Sequence, residues 1–260
     1  MQSFVVEPTT DEALSRVFDL GRRAADGFEV QRVGIACGGP IDARRGTVSP
    51  LHLTGWEDVP LVAMAEETYG VPAALDNDAT AAAAGEHRFG AGTGTANMVY
   101  LTLSTGVGGG AVVDGRLLRG TTGNGAELGH VTVDWHGRPC RGCGRRGCLE
   151  AYVSGTSIAE RAREAGLSVT SAEEVVEAGG AVWEETVEAL ACGLTSIVNV
   201  FEPERVVLGG GVTRAGERLL APVRERVRAD ALGPAANVEI VLSALGEQVG
   251  VVGAAAIAYD

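Results

Sequence analysis

One histidine and three cysteines have the spacing of a metal site. They form the pattern H-x9-C-x2-C-x4-C, and the residues are His130, Cys140, Cys143 and Cys148. One imidazole and three thiolates complete the tetrahedral coordination of zinc and leave no open position for water. We therefore predict a structural zinc site. The alternative interpretation is three free cysteines in an exposed loop rich in glycine and arginine, where they would be open to oxidation.

A second group of polar side chains adjoins small residues or the predicted zinc ligands. Its members are Asp76, Asn77, Asp78, Glu127 and Glu150. An isolated acid of this kind is usually a helix cap or a solvated surface group. Glu127 and Glu150, however, lie beside zinc ligands, so a bound metal would hold both carboxylates in place. Fixed carboxylates and an Asn suit a polyhydroxylated ligand, because each accepts directed hydrogen bonds from hydroxyl groups.

Two glycine clusters follow predicted strands. The first runs from Ser104 to Gly110, and the second is Gly209-Gly210-Gly211. Successive backbone amides in a glycine turn can cradle an anion, and Thr105 adds a hydroxyl donor. Glycine in such a place can equally serve close packing of the chain, so each cluster by itself is weak support for a phosphate site.

The elements that position these residues follow from apolar periodicity and turn residues. Helices are predicted over 10–25, 61–69, 78–89, 152–165, 173–178, 183–201, 215–229 and 250–259. Strands are predicted over 3–7, 33–37, 73–75, 98–103, 111–118, 205–208 and 238–242, with the glycines of 106–110 in a wide turn. Strands and helices that interleave in this way indicate α/β layers. The glycine-rich stretch 90–94 is interpreted as a hinge or domain boundary.

The composition excludes several classes of function. The 260 residues carry 21 basic and 34 acidic side chains, a formal charge of −13, and every basic residue is arginine. Without lysine there is no Walker A phosphate loop and no Schiff-base chemistry. The acidic balance opposes nucleic-acid binding. No apolar run reaches bilayer length, and three of the five cysteines crowd into nine residues, so we expect a cytoplasmic protein in a reducing compartment.

These motifs together resemble the ROK family of bacterial sugar kinases and related repressors. The resemblance runs from about residue 33 to the C-terminus, and its most specific parts are Glu127-Leu128-Gly129-His130 and the segment from Cys143 to Glu150. It implies an α/β, two-domain actin-like ATPase (ribonuclease H-like) fold. A small sugar-side domain would comprise 1–91 and the C-terminal helix within 246–260. A larger domain, 92–245, would carry the zinc loop and the nucleotide-binding elements.

The resemblance also implies roles for individual residues. His130 and the three cysteines would hold structural zinc, and Asp78 would be the catalytic base. The sugar site would be lined by Gly39, Asn77, Asp78, Glu127, His130 and Glu150. Thr105 and Gly106 would contact the nucleotide phosphates, and Gly209 and Gly210 the adenosine. The implied reaction is ATP- and Mg²⁺-dependent phosphorylation of a hexose or aminohexose, and a homodimer is expected.

Three departures from the family pattern stand out. The zinc loop opens with Cys140-Arg141-Gly142-Cys143, one residue longer than the usual Cys-x-Cys, and Gly125-Ala126 stands where Ala-Gly is commoner. The third is that nothing before Val33 matches the family's Asp-x-Gly-Gly-Thr phosphate turn. From this we expect the first β-hairpin of the small domain to be missing, and the chain as written to bind sugar weakly and phosphorylate it poorly.

Two other functions remain open from the sequence. The missing phosphate turn favours a sugar-binding sensor or pseudokinase without turnover. Glu127 and Glu150 could alternatively serve as the acid and nucleophile pair of a glycosidase. Strict dependence of turnover on ATP would separate the kinase from the glycosidase.

Overall fold

The computed structural model describes residues 13–50, 53, 55–169 and 171–260. Its α-helices are α1 Ala13–Ala24, α2 Leu61–Tyr69, α3 Asp78–Phe89, α4 Glu150–Val153, α5 Gly155–Glu164, α6 Ala172–Ala178, α7 Ala181–Phe201, α8 Glu217–Asp230 and α9 Val249–Ile257. Its strands are β1 Val33–Cys37, β2 Ile41–Asp42, β3 Thr47–Val48, β4 Ala73–Asn77, β5 Met98–Leu103, β6 Val107–Val113, β7 Arg116–Leu117, β8 Arg205–Gly209 and β9 Glu239–Leu242. The strand predicted over 3–7 lies outside the described residues.

The strands form a small and a large sheet plus one short hairpin. In the small sheet β1 pairs in parallel with β4, so that Cys37 lies beside Asn77 at the carboxyl end of both strands. The large sheet has the order β7-β6-β5-β8-β9, with β5, β8 and β9 parallel and β6 and β7 antiparallel. The antiparallel hairpin β2-β3 follows the small sheet's first strand. The parallel core explains why β5 and β8 are nearly continuous apolar runs, since such strands are covered on both faces.

Alternate residues of β5 contact different helices. Leu101 and Leu103 lie in the core that contains α7 and α8, whereas Met98 and Tyr100 lie in a separate core with the alanines of α3. This is the period-two alternation expected of a strand. Helix α3 therefore covers one face of the large sheet, and α9 packs on α3 and reaches back to β1. Among the described helices, none is long and apolar enough to span a bilayer.

Helix α3 approaches both of its neighbours without side-chain spacers. A Cβ atom at Gly108 or Gly110 of β6 would lie 2.8 Å from the Ala79 Cβ or 2.6 Å from the Ala83 Cβ, respectively. On the other side of α3, a Cβ at Gly253 of α9 would lie 2.3 Å from the Ala81 carbonyl oxygen. Enlarging such a position typically costs about 1–3 kcal/mol through overpacking. Glycine is therefore a packing requirement at these positions.

This packing corrects the predicted wide turn over 106–110. The turn is confined to the residues around Thr105, and Gly108, Gly109 and Gly110 lie inside β6, paired with β5. The predicted helix over 152–165 is likewise two helices. Ser154 separates them, and its hydroxyl caps α5 by accepting a hydrogen bond from the Ser157 amide at 3.1 Å. The strand predicted over 111–118 is also divided, because a turn at Asp114 and Gly115 separates the end of β6 from β7. The remaining described helices and strands match their predicted positions to within a few residues, and the sequence pattern did not predict β2 and β3.

The exchange of Gly-Ala for Ala-Gly before Glu127 has a conformational cost. Ala126 has a φ of 58°, in the left-handed region that a Cβ disfavours by about 1–2 kcal/mol. Gly125 lies outside that region, but a Cβ there would come within 2.8 Å of the Arg119 carbonyl carbon and 2.9 Å of the Gly120 nitrogen. Position 125 therefore has no room for a side chain, and the strained backbone conformation falls on Ala126.

Replacing Ala126 by glycine should stabilise the protein. Relief of the left-handed strain outweighs the added freedom of glycine in the unfolded chain, for a net gain of roughly 0.5–1 kcal/mol in the free energy of unfolding. Urea unfolding measures this directly. Ala96→Gly is the control, because Ala96 is exposed and outside the left-handed region. It should destabilise slightly, and equal destabilisation by both variants would contradict the assignment of strain to Ala126.

Candidate functional site

The four predicted zinc ligands lie together. The ligand atoms of His130, Cys140, Cys143 and Cys148 all fall within 4.8 Å of one another. His130 Nδ1 faces the cluster, 3.7 Å from Cys140 Sγ, and the Sγ atoms of Cys143 and Cys148 are 3.5 Å apart. In the part of the chain that the structure describes, no other three His, Cys, Asp or Glu side chains converge in this way. Three thiols and one imidazole match the donor preferences of zinc.

The loop that carries the cysteines is folded by its backbone. Cys140 N donates to Arg145 O at 2.7 Å, and Gly144 N donates to Cys140 O at 2.9 Å, which closes a tight turn around the C-x2-C pair. Gly144 and Gly147 have φ angles of 72° and 75°, and a Cβ at Gly147 would lie 1.7 Å from the Asp134 carbonyl oxygen. The glycines of this loop are therefore needed to bring the thiols together.

Glu150 connects the cysteine loop to the turn between β5 and β6. Its Oε2 accepts a hydrogen bond from Val107 N at 3.0 Å, and its Oε1 accepts one from Cys140 Sγ at 3.3 Å. Gly106 and Gly142 flank the carboxylate, since Cβ atoms there would lie 2.9 Å from Oε2 and 2.5 Å from Oε1. Both oxygens are thus held by the protein. A glycosidase nucleophile needs a free carboxylate facing the substrate, so this geometry counts against the glycosidase interpretation.

Asn77 and Asp78 lie where β4 passes into α3. Asn77 caps the helix, because its Oδ1 accepts hydrogen bonds from Ala79 N at 2.9 Å and Thr80 N at 3.4 Å. Asp78 is exposed, and its Oδ1 accepts from the same Ala79 amide at 2.7 Å. Its Oδ2 faces the end of β1, 4.0 Å from where a Cβ on Gly38 would lie. Asp78 Oδ2 thus lies beside the carboxyl ends of β1 and β4, the two strands of the small sheet.

Gly39 belongs to the same corner, together with a residue that the sequence analysis missed. A Cβ at Gly39 would lie 3.6 Å from Asn77 Nδ2 and 3.7 Å from Asn124 Oδ1. Asn124 makes a reciprocal pair with Ile41, donating from Nδ2 to its carbonyl at 2.8 Å and accepting from its amide at 3.2 Å. This pair fastens the loop that leads to Glu127 onto the hairpin that follows Gly39. In the sequence, Asn124 is marked only by its position between Gly123 and Gly125, three residues before Glu127.

Asp76, grouped with the other acids by its sequence position, is an anchor beneath the site. Its carboxylate is 1% exposed and accepts from Arg119 Nε at 2.7 Å, and Arg119 Nη2 also binds Asp260 Oδ2 at 2.6 Å. Burial raises the pKa of Asp76 above its usual value, although Arg119 opposes the shift. The pair fixes the start of the 119–127 loop against the end of β4.

Glu127, the remaining predicted sugar-site carboxylate, has the other site residues as its charged neighbours. Partial burial raises the pKa of Glu127, and the negative charges of Asp78 and Glu150 raise it further, while His130 lowers it. These mutual effects require the four groups to lie near one another, because charge interactions weaken with distance. Asp78, Glu127, His130 and Glu150 therefore lie near one another, and their role in a sugar site stays a prediction.

A cleft of about 430 Å³ lies on the large sheet, next to Glu150 and Gly106. Its lining includes Ser104, Thr105, Gly155, Thr156, Glu173 and Gly211. Gly209 and Gly210 instead face the sheet, where Cβ atoms would lie 2.5 Å from the Tyr100 hydroxyl oxygen and 2.4 Å from the Leu103 carbonyl oxygen. Gly210 also has a φ of 90°. For these two glycines close packing accounts for the residue type, and Gly211 supplies the cleft wall.

Comparison with known proteins gives a consistent result. A model of the ROK family matches residues 4–260. A glucokinase from Thermotoga maritima is 38% identical over 279 residues, covering 97% of this chain and 87% of that protein. A ROK hexokinase from Thermus thermophilus superposes with a TM-score of 0.86 at 35% identity, covering 98% of this chain and 89% of the other.

A further solved structure shows which ligands a similar protein binds. It is a ROK family glucokinase from Streptomyces griseus in complex with glucose and AMPPNP. Its TM-score is 0.78 at 33% identity, and the match covers 97% of this chain and 89% of that one. The family match along nearly the whole sequence, with these structural similarities, confirms the resemblance and the actin-like ATPase fold that it implied: the chain belongs to the ROK family.

Proposed function

We propose that this protein transfers the γ-phosphoryl group of ATP to a hydroxyl group of a hexose or aminohexose. The observation that carries the proposal is the position of Glu150, which lies against Gly106 beside the cleft lined by Thr105 and shares Gly142 with His130 as a neighbour. Asp78 and Glu127 lie close enough to this group for their charges to interact. The glucokinases to which the chain is similar support the same reaction. They also favour turnover over a sensor that only binds sugar.

Asp78 is the proposed general base. One of its oxygens is held by the Ala79 amide, which leaves Oδ2 to accept the proton of the attacking hydroxyl. The rigid start of α3 orients the carboxylate before the sugar arrives. Positioning of this kind supplies much of the catalysis in phosphoryl transfer, where little covalent help is needed from the protein.

The other polar groups are proposed to bind the sugar. The imidazole of His130 directs Nδ1 at the cysteines, so its opposite edge carries Nε2, which can exchange a hydrogen bond with a sugar hydroxyl. Glu127 and the remaining lone pairs of Glu150 accept hydrogen bonds from further hydroxyls. One ring thus serves the zinc set and the sugar at once.

The cleft on the large sheet is proposed to hold the nucleotide. The hydroxyl and amide of Thr105, with Gly106 in the same turn, would donate to phosphate oxygens. Gly155 N donates to Ser104 O at 2.7 Å, which holds the start of α5 against this turn. Magnesium would enter with the nucleotide as MgATP and neutralise phosphate charge. Gly209 and Gly210, carried over by resemblance for adenosine, would act through the shape of the turn before Gly211.

Zinc is proposed as a resident structural ion held by His130, Cys140, Cys143 and Cys148. With four protein ligands it would offer no position to substrate, and its contribution would be to fix the loop. Glu150 lies two residues after the ligand Cys148, and its Oε2 accepts a hydrogen bond from Val107 N at the start of β6 at 3.0 Å. Ordering of the loop is therefore proposed to order the sugar-binding carboxylate and the phosphate turn together.

Asp78→Asn should abolish turnover while leaving the affinity for glucose within a few fold. The amide still forms hydrogen bonds, but it cannot take the proton, and general-base catalysis typically contributes about 10²–10⁴-fold to the rate. The measurements are a coupled assay for kcat and calorimetric titration with glucose. Asp42→Asn, at an exposed turn of the β2-β3 hairpin, is the control. Turnover of Asp78→Asn equal to that of the control would exclude Asp78 as the base.

Cys143→Ser should lower both the zinc content and the affinity for sugar. Loss of one thiolate weakens the metal site, and residues positioned by a metal commonly lose about 10–100-fold in affinity or activity when the site is disturbed. Metal analysis and glucose titration on the same sample measure the two effects. Cys192→Ser, a second exposed cysteine outside the cluster, should change neither. Zinc-free parent protein with full sugar affinity would contradict the proposed role.

A further inference from the structure

Glu86, in the last turn of α3, is a fully buried carboxylate whose hydrogen-bond partners among the described residues are three backbone amides and one hydroxyl. Both of its oxygens accept two hydrogen bonds. Oε2 accepts from Ala91 N at 2.7 Å and Ala244 N at 3.3 Å. Oε1 accepts from Leu245 N at 3.0 Å and from the hydroxyl of Ser243 at shorter range. A buried charge persists only where such donors replace water.

The donors come from the two passages of the chain between the sheets. The first passage, 90–97, leads from α3 to β5, and α3 itself begins at the end of β4 in the small sheet. The second passage, 243–248, leads from β9 to α9, and α9 packs on β1 and β4. These segments are far apart in sequence but meet at one side chain. Ser243 extends the link, because its Oγ also accepts from Gly246 N at 3.0 Å.

The glycines of the first passage wrap this side chain closely. A Cβ at Gly90 would lie 2.0 Å from Glu86 Oε2, and one at Gly92 would lie 2.1 Å from the Met98 sulfur. The amides of both glycines also donate to the Glu86 carbonyl oxygen, at 3.0 Å and 2.9 Å. Here glycine serves close approach to a fixed point. The 90–94 stretch, which the sequence predicts to be a hinge or domain boundary, is held in place by these contacts.

The base and the buried carboxylate belong to one rigid helix. Asp78 is the first residue of α3 and Glu86 lies eight residues later, about 12 Å along the axis. Because α3 packs closely on β6 of the large sheet, the hydrogen bonds at Glu86 fix the far end of the same rigid helix that carries Asp78. Closure of such a site excludes water that would otherwise hydrolyse ATP.

We propose that Glu86 is a positioning residue whose carboxylate fixes the pivot about which the small and large sheets close over sugar and nucleotide. The inference rests on the proposed kinase function. Glu86 touches neither proposed substrate, and its effect on them acts through the orientation of α3. It predicts that loosening the pivot harms sugar affinity and the coupling of ATP use to sugar phosphorylation, in addition to stability.

Three variants test this role. Glu86→Gln keeps the shape but turns an amide group toward N–H donors, and Ser243→Ala removes a single donor. Glu204→Gln is the matched control, because Glu204 accepts from Ala96 N at 2.6 Å and Asn97 N at 2.9 Å in the same first passage without touching the second. For each variant, kcat, the KM for glucose, the melting temperature and the ratio of ADP to sugar phosphate formed are measured with ATP.

Glu86→Gln should raise the KM for glucose roughly 10-fold and raise the ratio of ADP to sugar phosphate from one to about two, since incomplete closure admits water to the phosphoryl group. Ser243→Ala should shift both in the same direction by less, and Glu204→Gln should shift neither. A lower melting temperature with unchanged KM and ratio would assign Glu86 a structural role only and overturn the inference.

The outcomes separate the two proposals. Parent protein that phosphorylates no sugar would overturn the proposed function, and with it the inference. An active parent whose Glu86→Gln and Ser243→Ala variants match Glu204→Gln would overturn the inference alone. If Glu86→Gln shows no cooperative unfolding transition, Ser243→Ala decides, because it leaves the carboxylate and three of its four donors in place.

Discussion

The backbone-to-backbone approach of α3 to β6 on one side and α9 on the other is the constraint on which the site depends. At the closest contacts only hydrogen or methyl side chains separate these elements, and added Cβ atoms at Gly108, Gly110 or Gly253 would come within 2.8 Å of neighbouring atoms. Closely packed interiors permit few alternative arrangements. The first residue of α3 is Asp78, so this packing also sets where the proposed base stands relative to the large sheet.

Short polar contacts then attach the remaining site residues to the packed elements α3, β6 and α9 and their neighbours. Glu150 joins the cysteine loop to the β5-β6 turn, and Asn124 joins the 119–127 loop to the β2-β3 hairpin. The pair of Asp76 and Arg119 secures the start of the same loop. In each contact a buried or half-buried side chain bonds to a backbone group or to a charged side chain. The proposed sugar site is thereby assembled from four segments that are distant in sequence.

Much of the fold and the donor chemistry of the site could be read from the sequence. Apolar periodicity located β5 and α7, because burial of Leu101 or of Leu190 and Leu194 leaves a repeating pattern. The convergence of His130 with the three cysteines could be predicted because their spacing is specific. The wide turn predicted at Gly108 to Gly110 was wrong, because the sequence alone does not distinguish a glycine needed for close packing from one needed for a turn. Only the three-dimensional position of Ala79 and Ala83 distinguishes them.

Other features had no sequence signal strong enough to find them. The β2-β3 pairing involves two residues in each strand, too few for a period, and Asn124 acts through a tertiary pair with Ile41. The family's Asp-x-Gly-Gly-Thr turn has no match before Val33, and the strand predicted over 3–7 lies outside the described residues. The effect of this departure on catalysis stays a prediction, namely that the chain phosphorylates sugar poorly.

The most direct test of the kinase account is a coupled assay for ADP across a panel of hexoses and aminohexoses, using zinc-loaded chain, ATP and Mg²⁺. The account predicts that at least one sugar accelerates ADP formation well above the sugar-free rate, with one sugar phosphate formed for each ADP. Folded, zinc-loaded protein whose ADP formation is unchanged by every sugar in the panel would contradict it.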